Sequence, residues 1–134
     1  GCSESHQYFM YEIQGKALGI VGFTDINQSN QNSFWAFYAS PIAPKGTGTC
    51  MEILALEYAF NTLNLHKLCC EVLSFNSPVI KLHEKFGFKV EGILRDQYCR
   101  EGQFIDIYCL GLLSNEWADV RDSMITKISR FYKG

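Results

Sequence analysis

The feature that most constrains the fold lies in residues 43–60, APKGTGTCMEILALEYAF, where a short loop with two glycines runs directly into a strongly apolar segment. Apolar residues in that segment recur at i, i+3, i+4 and i+7, which predicts a helix over 48–63 with one buried face. The residues of this repeat are Met51, Leu54, Ala55 and Tyr58. The first backbone N–H groups of a helix have no partner within it and can bind an anion such as a phosphate. The amides in question are those of Gly46, Thr47, Gly48 and Thr49.

The rest of the chain predicts an α/β fold in one domain over residues 1–134. Apolar and aromatic segments indicate strands over 8–13, 17–26, 34–39, 67–73, 89–94 and 104–113. Two further helices are predicted, one over 77–86 and one from near Asn115. The last helix has an apolar stripe of Trp117, Val120, Met124, Ile128 and Phe131. The order three strands, helix, strand, helix, two strands, helix is typical of a mixed sheet with helices on its faces. Strand 67–73 is apolar on both faces, so we expect it to be central and fully buried.

Composition narrows the classes of function. A chain of 134 residues can bury one core, and a formal charge of −2 gives no basic field for nucleic acid. No apolar run reaches the ~20 residues of a membrane-spanning helix, and the first ten residues do not resemble a signal peptide. These features predict a cytoplasmic protein with neither nucleic acid nor membrane as a partner.

The six cysteines predict neither disulfides nor a metal site. They form no CxxC pair and have no histidine at ligand spacing. Adjacent Cys69 and Cys70 point to opposite faces of a predicted strand. We interpret all six as free buried thiols in a reducing compartment.

Two common phosphate loops do not match the glycine segment. A P-loop needs GxxxxGK[ST], and a dinucleotide fingerprint needs a third glycine where this chain has Met51. A GxG turn alone is equally consistent with a purely structural role. A second segment, NSPVIKLHEKFGF over 76–88, decides between these interpretations.

With this second segment the chain resembles the GNAT acetyltransferase superfamily over residues 7–113. Gly46 and Gly48 match the glycines of the family's Q/R-x-x-G-x-G/A loop. The later pattern N-x-x-A/V-I-x-L-Y-E-K-x-G-F is matched at Asn76, Ile80, Leu82, Glu84, Lys85, Gly87 and Phe88. The resemblance implies a GNAT fold with a mixed, mostly antiparallel sheet, and acetyl-CoA as co-substrate.

The resemblance also implies which residues hold acetyl-CoA. The pyrophosphate would lie on the amides of residues 46–49, with Asn76 across the cleft. The backbone of Phe37, Tyr38 and Ala39 would pair with the pantetheine arm and stabilise the oxyanion. Ala43 replaces the family's Gln or Arg, and Lys45 is expected to substitute in part.

Catalysis by direct attack of an amine on the thioester needs an acid and a base. His83 replaces the family's tyrosine, so it is either the acid that protonates the thiolate or a structural histidine bonded to a backbone carbonyl. Glu71 is either a water-linked general base or one half of a buried ion pair. Asp106 carries the same ambiguity, and Asp25 and His6 are weaker candidates. No metal is expected.

Two departures bear on the acceptor. The family begins with a strand and two helices that form one wall of the acceptor pocket, and these are absent from the sequence given. The segments FYASP and GLLSNEW resemble the branch that acetylates a UDP-linked 4-amino-4,6-dideoxy sugar. We expect Tyr98 and Arg95, with Tyr38 and Arg100 near them, to bind such a sugar nucleotide.

Alternatives remain open from the sequence. The acceptor could instead be a ribosomal-protein N-terminal alanine or a polyamine, and a homodimer is one expectation for the assembly. A non-enzymatic alternative is a CoA-binding remnant that no longer turns over. Detectable acetyl transfer to any amine separates this alternative from the others.

Overall fold

The computed structural model describes the backbone of residues 5–133 and the side chains as far as Ser129. Its elements follow the predicted order of three strands, a helix, a strand, a helix, two strands and a helix. The strands are β1 (Gln7–Ile13), β2 (Lys16–Asn27), β3 (Asn32–Ala39), β4 (Lys67–Leu73), β5 (Lys89–Arg100) and β6 (Gln103–Leu113). The helices are α1 (Thr47–Glu57), which continues into a π-helical turn over Tyr58–Thr62, α2 (Ser77–Lys85) and α3 (Ser114–Lys133).

All six strands form one sheet in the order β1-β2-β3-β4-β6-β5. Neighbouring strands are antiparallel except for β3 and β4, which are parallel. The predicted mixed, mostly antiparallel α/β fold is therefore confirmed. The predicted central position of β4 is also correct, because β4 lies between β3 and β6.

The parallel seam between β3 and β4 is short. Only Asn32, Ser33 and Phe34 pair with β4, opposite Lys67, Leu68 and Cys69. Beyond Phe34 the two strands diverge, while β3 keeps its pairing with β2 as far as Ala39. One backbone edge of residues 35–39 therefore pairs with no strand in the described part of the chain.

Helix α1 buries part of the predicted face, but not all of it. Its buried residues include Met51, Ala55 and Leu56, whereas Leu54, expected in the core, is 57% exposed. The buried stripe also contains Glu52, which is fully enclosed. The prediction was therefore correct for Met51 and Ala55 and wrong for Leu54, and it missed Glu52 because it followed apolar residues alone.

Two strands differ from their predictions. Strand β4 buries Leu68, Cys70 and Val72 on one face only, and Glu71 on the other face is exposed. Strand β5 is twice as long as its predicted 89–94 segment, because it runs to a two-residue turn. Both turn residues, Glu101 and Gly102, have positive φ (51° and 80°), as tight hairpins require.

Helix α3 closes the core through Trp117 and Met124, which are 2% and 8% exposed. Phe131 lies outside the residues whose side chains are described. None of the described helices is long and apolar enough to span a membrane.

The described cysteines are free, in agreement with the absence of predicted disulfides, but only Cys70 is buried, and Cys99 is exposed. The prediction of uniformly buried thiols was therefore wrong for these residues. Cys2 lies outside the described residues. Within the described part, no three His, Cys, Asp or Glu side chains lie close enough together to hold a metal ion.

Candidate active site

The N-terminus of α1 forms one side of the site. Gly46 precedes the helix with φ = 91°, a left-handed conformation that disfavours any side chain. The Thr47 amide donates to the Pro44 carbonyl at 3.1 Å, so it is not free as predicted. Among the described residues, the amides of Gly46, Gly48 and Thr49 have no hydrogen-bond partner. Three of the four predicted donors therefore remain available to an anion.

Gly48 lies where α1 meets the rest of the site. A Cβ atom at this position would touch the Phe37 ring at 3.5 Å and Leu82 at 3.6 Å, which are ordinary contact distances. Gly48 thus faces β3 and α2. Because it has no side chain, these two elements can pack closely against the start of α1. Lys45, the expected additional phosphate contact, is exposed on the loop before the helix.

The gap between the diverging strands is a cleft of about 450 Å³. Its walls are the unpaired stretch of β3, the following part of β4 and the start of α2. The predicted site residues that line it are Phe37, Tyr38, Ala39, Glu71, Asn76 and His83. The structure therefore brings together residues from four separate segments of the sequence.

Asn76 precedes α2, and its side chain makes no capping hydrogen bond. The carboxamide is instead available in the cleft, where it can donate to or accept from a bound molecule.

His83 is 3% exposed, and its Nδ1 lies 2.8 Å from Oε2 of Glu52, which is fully buried in α1. The partner is thus a carboxylate and not the backbone carbonyl considered from the sequence. Burial raises the pKa of Glu52, and the hydrogen bond from His83 opposes that shift. Sequence analysis missed Glu52, although its i+4 and i+7 neighbours Leu56 and Ala59 place it on the buried stripe.

A second cleft of about 320 Å³ adjoins the first and shares Trp35, Ala36 and Glu71 with it. Its lining includes the exposed carboxylates of Asp25 and Glu71. Asp25 lies in an irregular segment of β2 with φ = 52°, between the paired residues Thr24 and Asn27. Glu71 is exposed to both clefts, so it is not one half of a buried ion pair.

The other predicted residues lie elsewhere. Tyr98 and Arg95 are on the exposed outer strand β5, and neither is among the residues that line the two clefts. Asp106 accepts a hydrogen bond from the Asp96 amide at 2.9 Å, which gives it a structural role in the hairpin. His6 is exposed and contacts Ser5.

The sheet thus splays beside a helix whose first amides are free, in agreement with the α/β fold that the resemblance to acetyltransferases implies. The Acetyltransferase (GNAT) domain family matches residues 2–109, so the chain belongs to this family. The spermidine N(1)-acetyltransferase of Escherichia coli (strain K12) is 33% identical over 102 residues, which cover 75% of this chain and 55% of that enzyme. The chain thus spans about half the length of this relative.

Solved structures agree with the fold. The spermidine N-acetyltransferase from Vibrio cholerae, in complex with CoA and spermine, superposes with a TM-score of 0.82 at 25% identity. The alignment covers 87% of this chain and 70% of that one. A structure of the same enzyme described as dodecameric gives a TM-score of 0.82 at 25% identity, over 87% and 69% of the two chains.

Proposed function

We propose that the protein transfers an acetyl group from acetyl-CoA to a primary amine, and that this amine belongs to a polyamine. The observation that carries the proposal is the cleft between β3 and β4. It combines an unpaired strand edge with the uncapped side chain of Asn76, and the free amides at the start of α1 lie beside it, where Gly48 faces Phe37. This set of groups fits a long, hydrogen-bonding thioester with a charged phosphate end.

Each group has a separate task in binding. The amides of Gly46, Gly48 and Thr49 hold the pyrophosphate, with the positive end of the helix dipole behind them. The free backbone edge of residues 37–39 pairs with the pantetheine arm as a neighbouring strand would. The same edge presents amides to the oxygen that becomes negative when the carbonyl is attacked.

Acetyl-CoA supplies the activated acetyl group, and the chain supplies the proton transfers. Glu71 lies where the two clefts meet and is exposed, so it can take a proton from the attacking amine directly or through water. His83 donates a proton to the departing sulfur as the carbon–sulfur bond breaks and the carbon–nitrogen bond forms. No covalent enzyme intermediate is needed.

The second cleft supports a cationic acceptor. Asp25 and Glu71 place two carboxylates in it, and no Lys or Arg is among its lining residues. A polyamine carries several ammonium groups, which these carboxylates would attract. The matches to spermidine acetyltransferases support the same choice.

The comparisons do not support the UDP-linked amino sugar expected from the sequence. The small net charge of −2 does not argue against a cationic substrate. The local arrangement of carboxylates matters more than the net charge, because charges beyond ~10 Å are screened at ordinary ionic strength. Tyr98 and Arg95, chosen for a nucleotide, also lie outside both clefts. A homodimer stays a prediction.

The test is a screen of acceptors with acetyl-CoA, read by mass spectrometry of the products. Spermidine is compared with the amino-sugar nucleotide and with a peptide that begins with alanine. We expect spermidine to be acetylated fastest, and Asp25→Asn to raise its KM with little change in acetyl-CoA affinity. Faster acetylation of either competitor would reject a polyamine as the acceptor. Failure of the protein to bind acetyl-CoA in calorimetry would reject the proposed acetyltransferase activity.

A further inference from the structure

We propose that Glu52 is a positioning residue for His83, whose imidazole it holds with Nδ1 toward helix α1 and Nε2 toward the cleft. The two residues are 31 positions apart in the sequence and meet through one hydrogen bond of 2.8 Å. The role rests on the acetyl transfer proposed above, because that reaction provides a recipient for the Nε2 proton. Glu52 itself does not line the cleft, so it acts through the histidine.

Packing fixes the orientation of the ring. The centroids of the Trp35, Phe37 and Phe88 rings lie 5.3, 5.9 and 5.3 Å from that of His83. With these rings around it, the imidazole cannot turn without moving its neighbours. Nδ1 faces Glu52, and in the described part of the chain Nε2 has no hydrogen-bond partner and is not sealed from the cleft.

The carboxylate also determines how the pair holds its protons. One carboxyl oxygen, Oε1, has no hydrogen-bond partner in the described structure, so His83 is the single group that compensates the buried charge. With two protons the pair is neutral overall, and one of these protons is on Nε2. When that proton passes to the departing sulfur, the other stays on Nδ1 and faces the carboxylate.

Few other titratable groups lie near the Glu52–His83 pair. Strand β4 contributes Cys70, whose buried thiol lies close enough for the Glu52 charge to raise its pKa, and Glu71, which lines the cleft. Strand β3 contributes only Trp35 and Phe37, which do not titrate. Changes in the Glu52–His83 pair can therefore be assigned by changing a small number of residues.

The kinetic test uses Glu52→Gln, which keeps the size of the side chain and its hydrogen-bonding ability but removes the charge. We expect kcat to fall about tenfold or more, with the KM for acetyl-CoA nearly unchanged. Glu84→Gln, on the exposed side of α2, is the matched control and should behave as the wild type.

A second measurement does not depend on turnover. The ring N–H groups of His83 are followed by NMR of ¹⁵N-histidine protein at one fixed pH, in the wild type and in Glu52→Gln, with exposed His6 and His66 as internal references. A carboxylate accepts a stronger hydrogen bond than an amide oxygen does, so we expect the Nδ1–H signal of His83 to lie further downfield in the wild type, and the signals of His6 and His66 to be the same in both proteins. Identical His83 signals in the two proteins would overturn the proposal. A displaced His83 signal without any acetyl transfer would keep the positioning role and reject the proposed function.

Discussion

Trp35 on β3 and Glu71 on β4 each line both of the clefts that open beside the parallel seam. Two residues on facing strands therefore mark the place where the clefts meet. If acetyl-CoA enters from one side and the amine from the other, the reacting atoms meet beside these two side chains.

The position of Glu71 leads to a prediction for Glu71→Gln. We expect kcat to fall about 100-fold, the lower end of the usual contribution of a general base, because the amide cannot accept the proton. Acetyl-CoA affinity, measured by calorimetry, should be unchanged. Asp119→Asn, on the exposed surface of α3, serves as the control for loss of one negative charge. A Glu71→Gln enzyme with wild-type turnover would show that the base lies elsewhere.

The left-handed conformation of Gly46 leads to a second prediction. Gly46→Ala should lower the free energy of unfolding by about 1–2 kcal/mol, because a Cβ atom is strained at φ = 91°. Relief of that strain would also turn the amides away from the pyrophosphate and weaken acetyl-CoA binding. Urea unfolding and calorimetry measure the two effects.

The control for Gly46→Ala is Gly92→Ala on β5. A Cβ atom there would meet nothing within 4 Å, and Gly92 does not have positive φ. This variant should bind acetyl-CoA as the wild type does. Equal stability and affinity in the two variants would contradict the role given to Gly46.

A third prediction concerns acid stability. The hydrogen bond from Lys89 and the bond from the Leu113 amide lower the pKa of Glu116, which caps the start of α3. The folded-state pKa thus lies below the unfolded value, so this stabilisation is present above pH 4.5 and is lost as pH falls through the folded value. Glu116→Gln should therefore unfold at lower temperature at pH 7, with a smaller difference at pH 3. An equal difference at both values would contradict the assignment.

A fourth prediction concerns thiol reactivity. Burial raises the pKa of Cys70, so the reactive thiolate is scarce in the folded protein, whereas Cys99 is exposed. At pH 8, iodoacetamide should label Cys99 first and Cys70 only after unfolding in urea. Peptide mass spectrometry distinguishes the two sites. Rapid labelling of Cys70 in the native protein would show that the core around Glu52 opens readily.

Much of the fold could be predicted because its signals are local. Turn residues, apolar repeats and the proline at the start of α2 fixed the type and order of the elements. The face of α1 could not be predicted in the same way, since Leu54 is apolar but exposed and Glu52 is charged but enclosed. Glu52 can be enclosed because it forms a hydrogen bond with His83, which is distant in sequence.

The candidate site was predictable in part for the same reason. The glycine loop and the segment after β4 are contiguous motifs, and they pointed to the cleft proposed here for acetyl-CoA. Asp25 and Glu71 line one cleft although they lie on different strands, and no short sequence motif predicts that arrangement. Tyr98 and Arg95 were assigned from strand order alone, and the greater length of β5 carries them along an exposed edge.

The short seam divides the sheet into two three-stranded halves, β1, β2 and β3 on one side and β4, β6 and β5 on the other, which only three residue pairs join in the described structure. A molecule bound between the halves would form the hydrogen bonds that β3 and β4 do not make with each other beyond the seam. Bound substrate should therefore couple the two halves, so that their amide hydrogens exchange at more similar rates than in the free protein.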